Sequence, residues 1–330
     1  MKFRQYFAER AIRSLPAFAQ LAGRFPGLEW IDDYQAFRKE TMRREKECVI
    51  LAAKRGRWLK PFHCYFHNTQ YRYFGLDLAE GCAYDCVYCY LQTYLNHGAL
   101  VLFVDTDSLE AELREASSGM WISTGLLADS LLAESAFPVL PRISRLVAEG
   151  ALLELRTKSA EIACLEDPSI ARERLVVSWS LNPQRIAQRY EYGAAPAMAR
   201  LEAARKAVQL GYRIGFHLDP VFHYDGWLQD YAELIRQMHD LPMDRMVFLS
   251  LGLFRYMPDL GSEIRKRFPF HEILTGEFFP DEDGKYHYFR AIRRDMHRAF
   301  REWLQPWSDL IPVFWSMEPE EKFLTNNPDV

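Results

Sequence analysis

The segment GCAYDCVYCY, residues 81–90, carries three of the six cysteines of this 330-residue chain. Cys82, Cys86 and Cys89 follow one another at intervals of four and three residues. Thiolates are soft ligands that suit zinc or iron–sulfur clusters, and a short loop can direct three of them to one metal centre. A structural zinc site or a ferredoxin-type cluster takes four protein ligands, so this loop leaves one coordination position open for a substrate or cofactor.

A second interpretation makes the cysteine loop part of a non-catalytic zinc or iron–sulfur module. His63 or His97 would then supply the fourth ligand of a closed zinc site. The chain contains no second CxxC pair, which is the usual complement of such a loop. The sequence therefore favours an open metal site.

The composition limits the remaining function classes. The chain is 49% hydrophobic with a formal net charge of −4, so no global basic field attracts nucleic acid or anionic lipid. Six cysteines are too few for a disulfide scaffold of this size. The N-terminus lacks a secretory h-region, and no window reaches the ~18 apolar residues of a spanning helix. We expect a cytoplasmic protein with reduced thiols and no membrane partner.

Hydrophobic periodicity predicts an alternation of strands and helices in the middle of the chain. The pattern places strands at 76–81, 120–123, 152–157, 174–180, 212–221 and 246–253, and helices at 86–96, 108–116, 136–149, 196–209 and 227–239. Such alternation predicts a parallel sheet, doubly wound or curled into a partial barrel, with ligands at the carboxyl ends of its strands. We expect an N-terminal extension over 1–75, a core over 76–255 and a C-terminal cap over 256–330.

The cysteine loop resembles the signature of radical S-adenosylmethionine enzymes, because the aromatic Tyr88 directly precedes the third cysteine and the loop follows a first strand. The longer string 80–95 resembles the spore photoproduct lyase branch of that superfamily. Softer matches follow in the same order at strand ends and helix starts, at 157–159, 178–183, 200–204, 211–220 and 226–227.

This resemblance implies a partial (β/α)6 barrel of the radical S-adenosylmethionine type. A [4Fe–4S] cluster would bind Cys82, Cys86 and Cys89, and S-adenosyl-L-methionine would chelate the fourth iron. Reductive cleavage of that cofactor would give a 5′-deoxyadenosyl radical that abstracts a substrate hydrogen atom. The implied partners are an electron donor such as a flavodoxin or ferredoxin and a nucleic acid substrate.

The resemblance also assigns cofactor-binding roles to individual residues. Tyr88 would lie against the adenine of S-adenosylmethionine. Lys158 and Ser180, at the ends of the third and fourth strands, would hold the methionine end with a point charge and a hydroxyl group. Many relatives carry an acidic residue for the amino group where this chain has Leu126, so backbone carbonyls, Ser123 or Thr124 would take over that contact.

A second departure concerns the return of a hydrogen atom to the product. The spore lyase has a cysteine at the position of Ser123, and a serine O–H bond is too strong to replace that thiol. Tyr90 matches a member of the lyase's tyrosine relay. Ser123 and Tyr90 are thus the predicted catalytic positions, and a reaction related to spore photoproduct repair is favoured over repair itself.

Polar residues near the ends of the last two strands are candidates for substrate contact. His217 and Asp219 share one face of the fifth strand because strand side chains alternate, and they suit hydrogen bonding or proton transfer. Arg255 follows the sixth strand as an anion-binding candidate. Ordinary structural roles are the alternative for these three residues. The basic stretch 54–60, which includes Trp58, is a candidate nucleic-acid contact.

Overall fold

A computed structural model describes residues 3–38, 42–62, 71–115 and 118–316, so His63 and Cys64 lie outside the described residues. The strands are β1 (Gln5–Glu9), β2 (Glu29–Ile31), β3 (Cys48–Ala52), β4 (Leu59–Pro61), β5 (Arg72–Leu76), β6 (Ala79–Glu80), β7 (Asp85–Cys86), β8 (Leu100–Phe103), β9 (Met120–Ser123), β10 (Leu152–Thr157), β11 (Leu175–Ser180), β12 (Glu191–Tyr192), β13 (Arg213–Val221), β14 (Met246–Leu253), β15 (Arg255–Tyr256), β16 (Phe278–Pro280), β17 (Tyr286–Tyr288) and β18 (Val313–Trp315). The α-helices are α1 (Pro16–Leu21), α2 (Met42–Glu45), α3 (Leu91–Tyr94), α4 (Thr106–Glu115), α5 (Ser130–Ala136), α6 (Leu140–Ile143), α7 (Gln184–Tyr190), α8 (Ala197–Gln209), α9 (Trp227–Met238), α10 (Pro258–Arg267) and α11 (Arg290–Ser308).

The largest sheet contains eight strands in the order β18-β14-β13-β11-β10-β9-β5-β4. The six strands from β5 to β14 are parallel and stand in chain order, which is the arrangement of a curled (β/α)6 partial barrel. They are rich in buried apolar residues because helices cover their outer face. The predicted fold class is confirmed.

Several core strands and helices have the bounds that the hydrophobic periodicity predicts, but two of the predicted helices are shorter or interrupted in the structure. Where a helix is predicted over 136–149, the structure instead has α5 ending at Ala136 and the short α6 beginning at Leu140. The break occurs because Phe137 precedes a proline and is extended. The predicted helix over 86–96 is helical only in α3, because the segment before it pairs with β12 instead.

The amino end of the barrel is closed by an apolar plug. Tyr73, Trp121, Leu152, Val176, Phe248 and Phe314 form one buried cluster, one residue from each of six strands. Among the six parallel strands from β5 to β14, β13 alone has no member in this cluster; it contributes Gly215, where a Cβ atom would lie 2.3 Å from Cε1 of Phe248. The plug leaves only the carboxyl end of the barrel for a ligand.

The segments outside the predicted core add two further sheets. The N-terminal sheet has the order β2-β1-β3-β8-β6, and β15, β17 and β16 form an antiparallel sheet in the C-terminal cap. The first barrel strand, β5, lies four residues earlier than predicted, and β18 returns to the barrel from beyond residue 255. The domain boundaries therefore stay a prediction. Among the described helices, none is long and apolar enough to cross a membrane.

Candidate functional site

A cavity of about 770 Å³ opens at the carboxyl ends of the barrel strands. The cysteine loop forms one wall, the strand ends form the floor, and β15 with the start of α10 forms the opposite rim. The predicted site residues that line this cavity are Cys82, Cys86, Cys89, Tyr88, Tyr90, Lys158, Ser180, His217, Asp219 and Arg255. The fold thus brings together residues spread over more than 170 positions of sequence.

The cysteine loop turns sharply at its first residue. Gly81 has φ +80°, and a Cβ atom there would lie 2.0 Å from the carbonyl oxygen of Ala99. Only glycine fits this close approach, because a side chain would meet fixed backbone. Further along the loop, Asp85 and Cys86 pair with β12 in an antiparallel ladder. The turn and the ladder fix where the thiols lie.

Two cations from distant segments hold the loop. Lys46, beside the N-terminal sheet, donates from Nζ to the carbonyl oxygens of Cys82 at 3.0 Å and Tyr84 at 2.7 Å. Arg267, at the end of α10, donates from Nη2 to Oδ1 of Asp85 at 2.7 Å. The lysine is buried and the arginine nearly so, so their hydrogen bonds are shielded from water.

The donor set of the loop fits an iron–sulfur cluster. Three soft thiols come from an eight-residue segment, and all three line the same open cavity. Burial raises the pKa of Cys82 to about 12, and metal binding would displace that proton. His97, the described candidate for a closed zinc site, is absent from the cavity lining, and its Nδ1 lies 3.1 Å from the carbonyl oxygen of Ala99.

Tyr88 is held rigidly at the cavity wall. Its hydroxyl group donates to Glu191, which also binds the guanidinium of Arg200 and accepts from Nδ2 of Asn182 at 3.1 Å. The ammonium group of Lys158 lies 5.6 Å from the centre of the Tyr88 ring. Burial and the Glu191 charge raise the pKa of Tyr88 well above its usual value, so the phenol stays protonated.

Lys158 and Ser180 lie at the strand ends, as predicted. The backbone N–H of Lys158 donates to Oδ2 of Asp129 at 2.7 Å, while Oδ1 of Asp129 accepts from the backbone N–H of Leu132 at the start of α5. Asp129 thereby joins a strand end to a helix start. Within the described residues, the Lys158 ammonium has no carboxylate in salt-bridge range and is available to a ligand.

The two predicted residues at the carboxyl end of β9, Ser123 and Thr124, lie outside the cavity. Oγ1 of Thr124 lies 2.7 Å from Oγ of Ser130 and donates to the Glu154 carbonyl oxygen at 3.1 Å. Ser123 is fully buried, and its hydroxyl group has no hydrogen-bond partner among the described residues. Neither side chain lines the cavity, so their roles in binding and catalysis stay predictions.

Tyr90 lies at the mouth of the cavity and is about half exposed. Its hydroxyl group donates to the carbonyl oxygen of Leu126, and its ring meets that of Tyr94 edge-on at 6.0 Å. Leu126 therefore contributes a backbone acceptor to the cavity wall. Gly75 makes room for the Leu126 side chain, whose Cδ1 would lie 2.7 Å from a Cβ atom at 75.

Below the cavity, one buried carboxylate collects donors from five strands. Glu154 accepts at Oε2 from Tyr73 at 2.9 Å and Trp121 at 3.0 Å. Its Oε1 accepts from Ser178 and His217, each at 2.7 Å, and from Nε of Arg156 at 3.3 Å. The side chains of Glu154 and Arg156 face the barrel interior, because residues two apart share one face of a strand.

The network fixes the charges of its members. Burial raises the pKa of Glu154, but the Arg156 charge and the His217 and Ser178 hydrogen bonds outweigh it and hold that pKa well below its usual value. Burial and Arg156 together lower the pKa of His217. The histidine is therefore neutral at pH 7, and its Nε2 carries the proton donated to Glu154.

Sequence reasoning missed Glu154, Arg156, Lys46 and Arg267. The first two had a visible signal, because charged residues at alternate positions of the apolar strand LLELRT must face the barrel interior together. Lys46 and Arg267 had none, since surface cations are common. The predicted basic stretch 54–60 is partly neutralised, because Lys54 and Lys60 both pair with Asp77.

The family model and the relatives that match this chain all carry the description spore photoproduct lyase. The model of the spore photoproduct lyase family matches residues 142–300. A spore photoproduct lyase of Geobacillus sp. is 26% identical over 249 residues, covering 70% of this chain and 72% of the relative. One from Bacillus subtilis is 25% identical, covering 72% of each chain.

The chain is similar to spore photoproduct lyases in sequence and in fold. Solved structures agree on the fold. One is a spore photoproduct lyase double mutant with bound AdoMet and dinucleoside spore photoproduct. Its TM-score is 0.82 at 21% identity, and the match covers 95% of this chain and 99% of the mutant. A spore photoproduct lyase complexed with dinucleoside spore photoproduct has a TM-score of 0.81 at 20% identity, covering 94% and 98% of the two chains.

Proposed function

We propose that this protein is a radical S-adenosylmethionine enzyme that resembles spore photoproduct lyase and abstracts hydrogen from a substrate derived from nucleic acid. The observation that carries the proposal is a single cavity lined by three thiols of one loop together with Tyr88, Lys158 and Ser180. The family match supports the same class.

Cys82, Cys86 and Cys89 would hold a [4Fe–4S] cluster, and the open side of that group faces the cavity. When bound, the cluster with S-adenosylmethionine supplies a 5′-deoxyadenosyl radical on one-electron reduction. The electron would come from a flavodoxin or ferredoxin. The chain's own contribution is to position the cofactor and exclude water, which a cavity of about 770 Å³ lined by the cysteine loop and the strand ends supports.

Three residues would orient S-adenosylmethionine. The Tyr88 ring, fixed by Glu191, offers a flat surface to the adenine. Lys158 offers a charge to the carboxylate, and Ser180 offers a hydroxyl group. For the amino group, the Leu126 carbonyl and the buried Asp129 are acceptors on the cavity wall, and Thr124 would act only after leaving its present partners.

The substrate would enter past Tyr90 and reach the polar floor at His217, Asp219 and Arg255. Arg255 is partly engaged, since Nη1 donates to the Leu253 carbonyl oxygen at 2.9 Å. Repair of spore photoproduct itself is the alternative within this class. Ser123 favours a related reaction instead, because it replaces the thiol that would return a hydrogen atom and lies outside the cavity lining.

Anaerobic reconstitution tests the proposal. We expect about four iron atoms per chain, an EPR signal of the reduced protein that changes with S-adenosylmethionine, and 5′-deoxyadenosine after reduction. Cys82→Ala should lose the cluster, while the matched control Cys164→Ala, on a separate short helix, should keep it. Dinucleoside spore photoproduct is the first substrate to test.

Tightly bound zinc, or an EPR signal that does not change on addition of S-adenosylmethionine, would overturn the proposal in favour of a structural metal module. Turnover of spore photoproduct would instead select the repair alternative within the same class. Absence of that turnover, with 5′-deoxyadenosine still formed, supports the related reaction.

A further inference from the structure

The cysteine loop has a second face, on the side away from the cavity. In the ladder of β7 and β12, Asp85 pairs with Tyr192 and Cys86 pairs with Glu191. Directly paired residues share one face of a ladder, and successive residues alternate between the two faces. Cys86 and Glu191 are buried on the inner face, where Cys86 lines the cavity. Asp85 and Tyr192 therefore lie on the outer face, and neither of them lines the cavity.

Aromatic side chains are exposed on this outer face. Tyr192 is 40% exposed, and its hydroxyl group lies 2.7 Å from Nε2 of His271. Phe270, directly before His271 in the chain, is 96% exposed. Tyrosine and phenylalanine are enriched in the centres of protein–protein interfaces. The two rings thus offer an apolar contact to another protein beside the cysteine loop.

Basic residues flank the aromatic side chains. Two elements meet at Asp85, whose Oδ1 lies 2.7 Å from Nη2 of Arg267, at the end of α10, and 3.8 Å from Nζ of Lys46, directly after α2. The same two elements carry further basic side chains that are exposed, namely Arg43 and Arg44 on α2 and Arg265 and Lys266 on α10. Lys266 lies 3.7 Å from Glu263 and still keeps 78% of its side chain exposed.

The distribution of charge along the chain favours an acidic partner at this place. Residues 1–60 contain 14 Lys and Arg against 7 Asp and Glu, a net charge of +7, although the whole chain has a net charge of −4. The helix α2 belongs to this basic part and packs beside the cysteine loop through Lys46. A negatively charged protein is therefore repelled by the rest of the molecule and attracted to the part that contains α2.

The location also indicates what an acidic partner would do there. Cofactor and substrate would occupy the cavity side of the thiols, so an electron donor that came from that side would have to displace them. On the outer face, Asp85 is joined to the ligand Cys86 by a single peptide bond. None of the exposed residues named on this face lines the cavity, so a substrate bound here would not reach the radical. Electron delivery fits both conditions.

We propose that the outer surface of the cysteine loop, formed by α2, Asp85, Tyr192, the last turn of α10 and Phe270, docks a small acidic protein that carries a flavin or an iron–sulfur centre. This inference rests on the proposed function and assigns the place at which the electron enters. In each encounter the reduced donor loses one electron to the cluster, and no covalent bond forms or breaks in that step. Encounter complexes of electron-transfer proteins bury less than about 1,200 Å², so a few exposed residues are enough to define one.

Stopped-flow reduction of the reconstituted protein by reduced flavodoxin tests this surface. Arg43→Glu and Lys266→Glu should each slow reduction about threefold to tenfold at low salt, and the double variant should slow it further, because charge complementarity mainly sets the association rate. Raising the ionic strength from about 0.05 to about 0.5 M should slow the wild type and remove its advantage over the charge variants. Phe270→Ala should weaken flavodoxin binding roughly tenfold in titration calorimetry.

Lys206→Glu makes the same charge change at an exposed position of α8, so it is the matched control and should be reduced like the wild type. With dithionite, a small reductant that needs no docking surface, all variants should form 5′-deoxyadenosine at the wild-type level, which shows that they are folded. Absence of that product from the wild type with dithionite would overturn the proposed function, whereas calorimetry of flavodoxin binding tests the surface separately.

Three outcomes would overturn the docking surface. They are unchanged reduction by flavodoxin in the double variant, an equal loss of rate in Lys206→Glu, and failure of both flavodoxin and a ferredoxin to bind and reduce the protein. Displacement of flavodoxin by a short DNA duplex, whose binding the double variant also loses, would show instead that the surface contacts nucleic acid.

Discussion

At the scale of single residues, Glu154 does most to organise the barrel interior. One carboxylate accepts hydrogen bonds from Tyr73, Trp121, Ser178 and His217 and also binds Arg156. Such a group is tolerated in a core only because every lone-pair direction has a donor. Glu154 lies between the apolar plug and the cavity. There it holds the Arg156 guanidinium in place and fixes the tautomer of His217.

Glu154→Gln should therefore destabilise the protein. An amide accepts at one atom only, so buried donors lose partners and Arg156 loses its counter-charge, at a cost of about 3 kcal/mol. Chemical denaturation at pH 7 measures the difference in unfolding free energy. Glu149→Gln, on the surface, is the matched control and should change little.

The stability difference between the wild type and Glu154→Gln should also depend on pH. The folded pKa of Glu154 lies well below the usual 4.5, so its stabilisation is complete above about pH 4.5 and is lost as pH falls through the folded value. The difference between wild type and Glu154→Gln should shrink between pH 7 and about pH 3.5. A difference that grows on acidification would contradict the assigned charge.

At the scale of elements, the cysteine loop depends on segments far from it in sequence. The N-terminal segment supplies Lys46, the cap supplies Arg267, and β12 supplies a ladder partner. A loop of this length has few internal hydrogen bonds, so these external contacts fix the spacing of its thiols. The N-terminal segment and the C-terminal cap therefore both help to position the cysteine loop.

Lys46→Met should weaken retention of the cluster. The variant removes two hydrogen bonds from a charged donor to loop carbonyls, each worth about 1.5–3 kcal/mol, while Asp85 keeps Arg267. Iron release to a chelator, followed by absorbance, should be faster than in the wild type. The exposed Lys206→Met is the control, and equal release from both variants would show that the contact has no role in holding metal.

At the scale of the whole molecule, closure of one end of the barrel directs ligands to the other. The Phe248 ring of the plug packs directly against β13, and this is possible because Gly215 has no side chain. The edge strand β18 contributes Phe314 to the same cluster.

Gly215→Ala should destabilise the barrel by about 1–3 kcal/mol, because its Cβ atom would overlap the Phe248 ring. Adding Phe248→Leu should recover part of that loss, as a smaller side chain relieves the overlap. Thermal unfolding measures both. Gly23→Ala, where nothing lies within 4 Å of the new atom, serves as control, and an equal effect there would rule out the steric explanation.

The sequence by itself determined the clustering of three thiols and the alternation of strands and helices, because cysteine spacing and hydrophobic periodicity are local properties. The partial (β/α)6 barrel was implied only by the family resemblance. Strand alternation also placed His217 and Asp219 on one face. Only the tertiary structure decided which polar residues share the cavity. Arg156 and Asp219 line one cavity because parallel strands align their carboxyl ends, and Lys46 reaches the cysteine loop because the N-terminal sheet packs there. Such contacts depend on packing between segments, which no local pattern encodes.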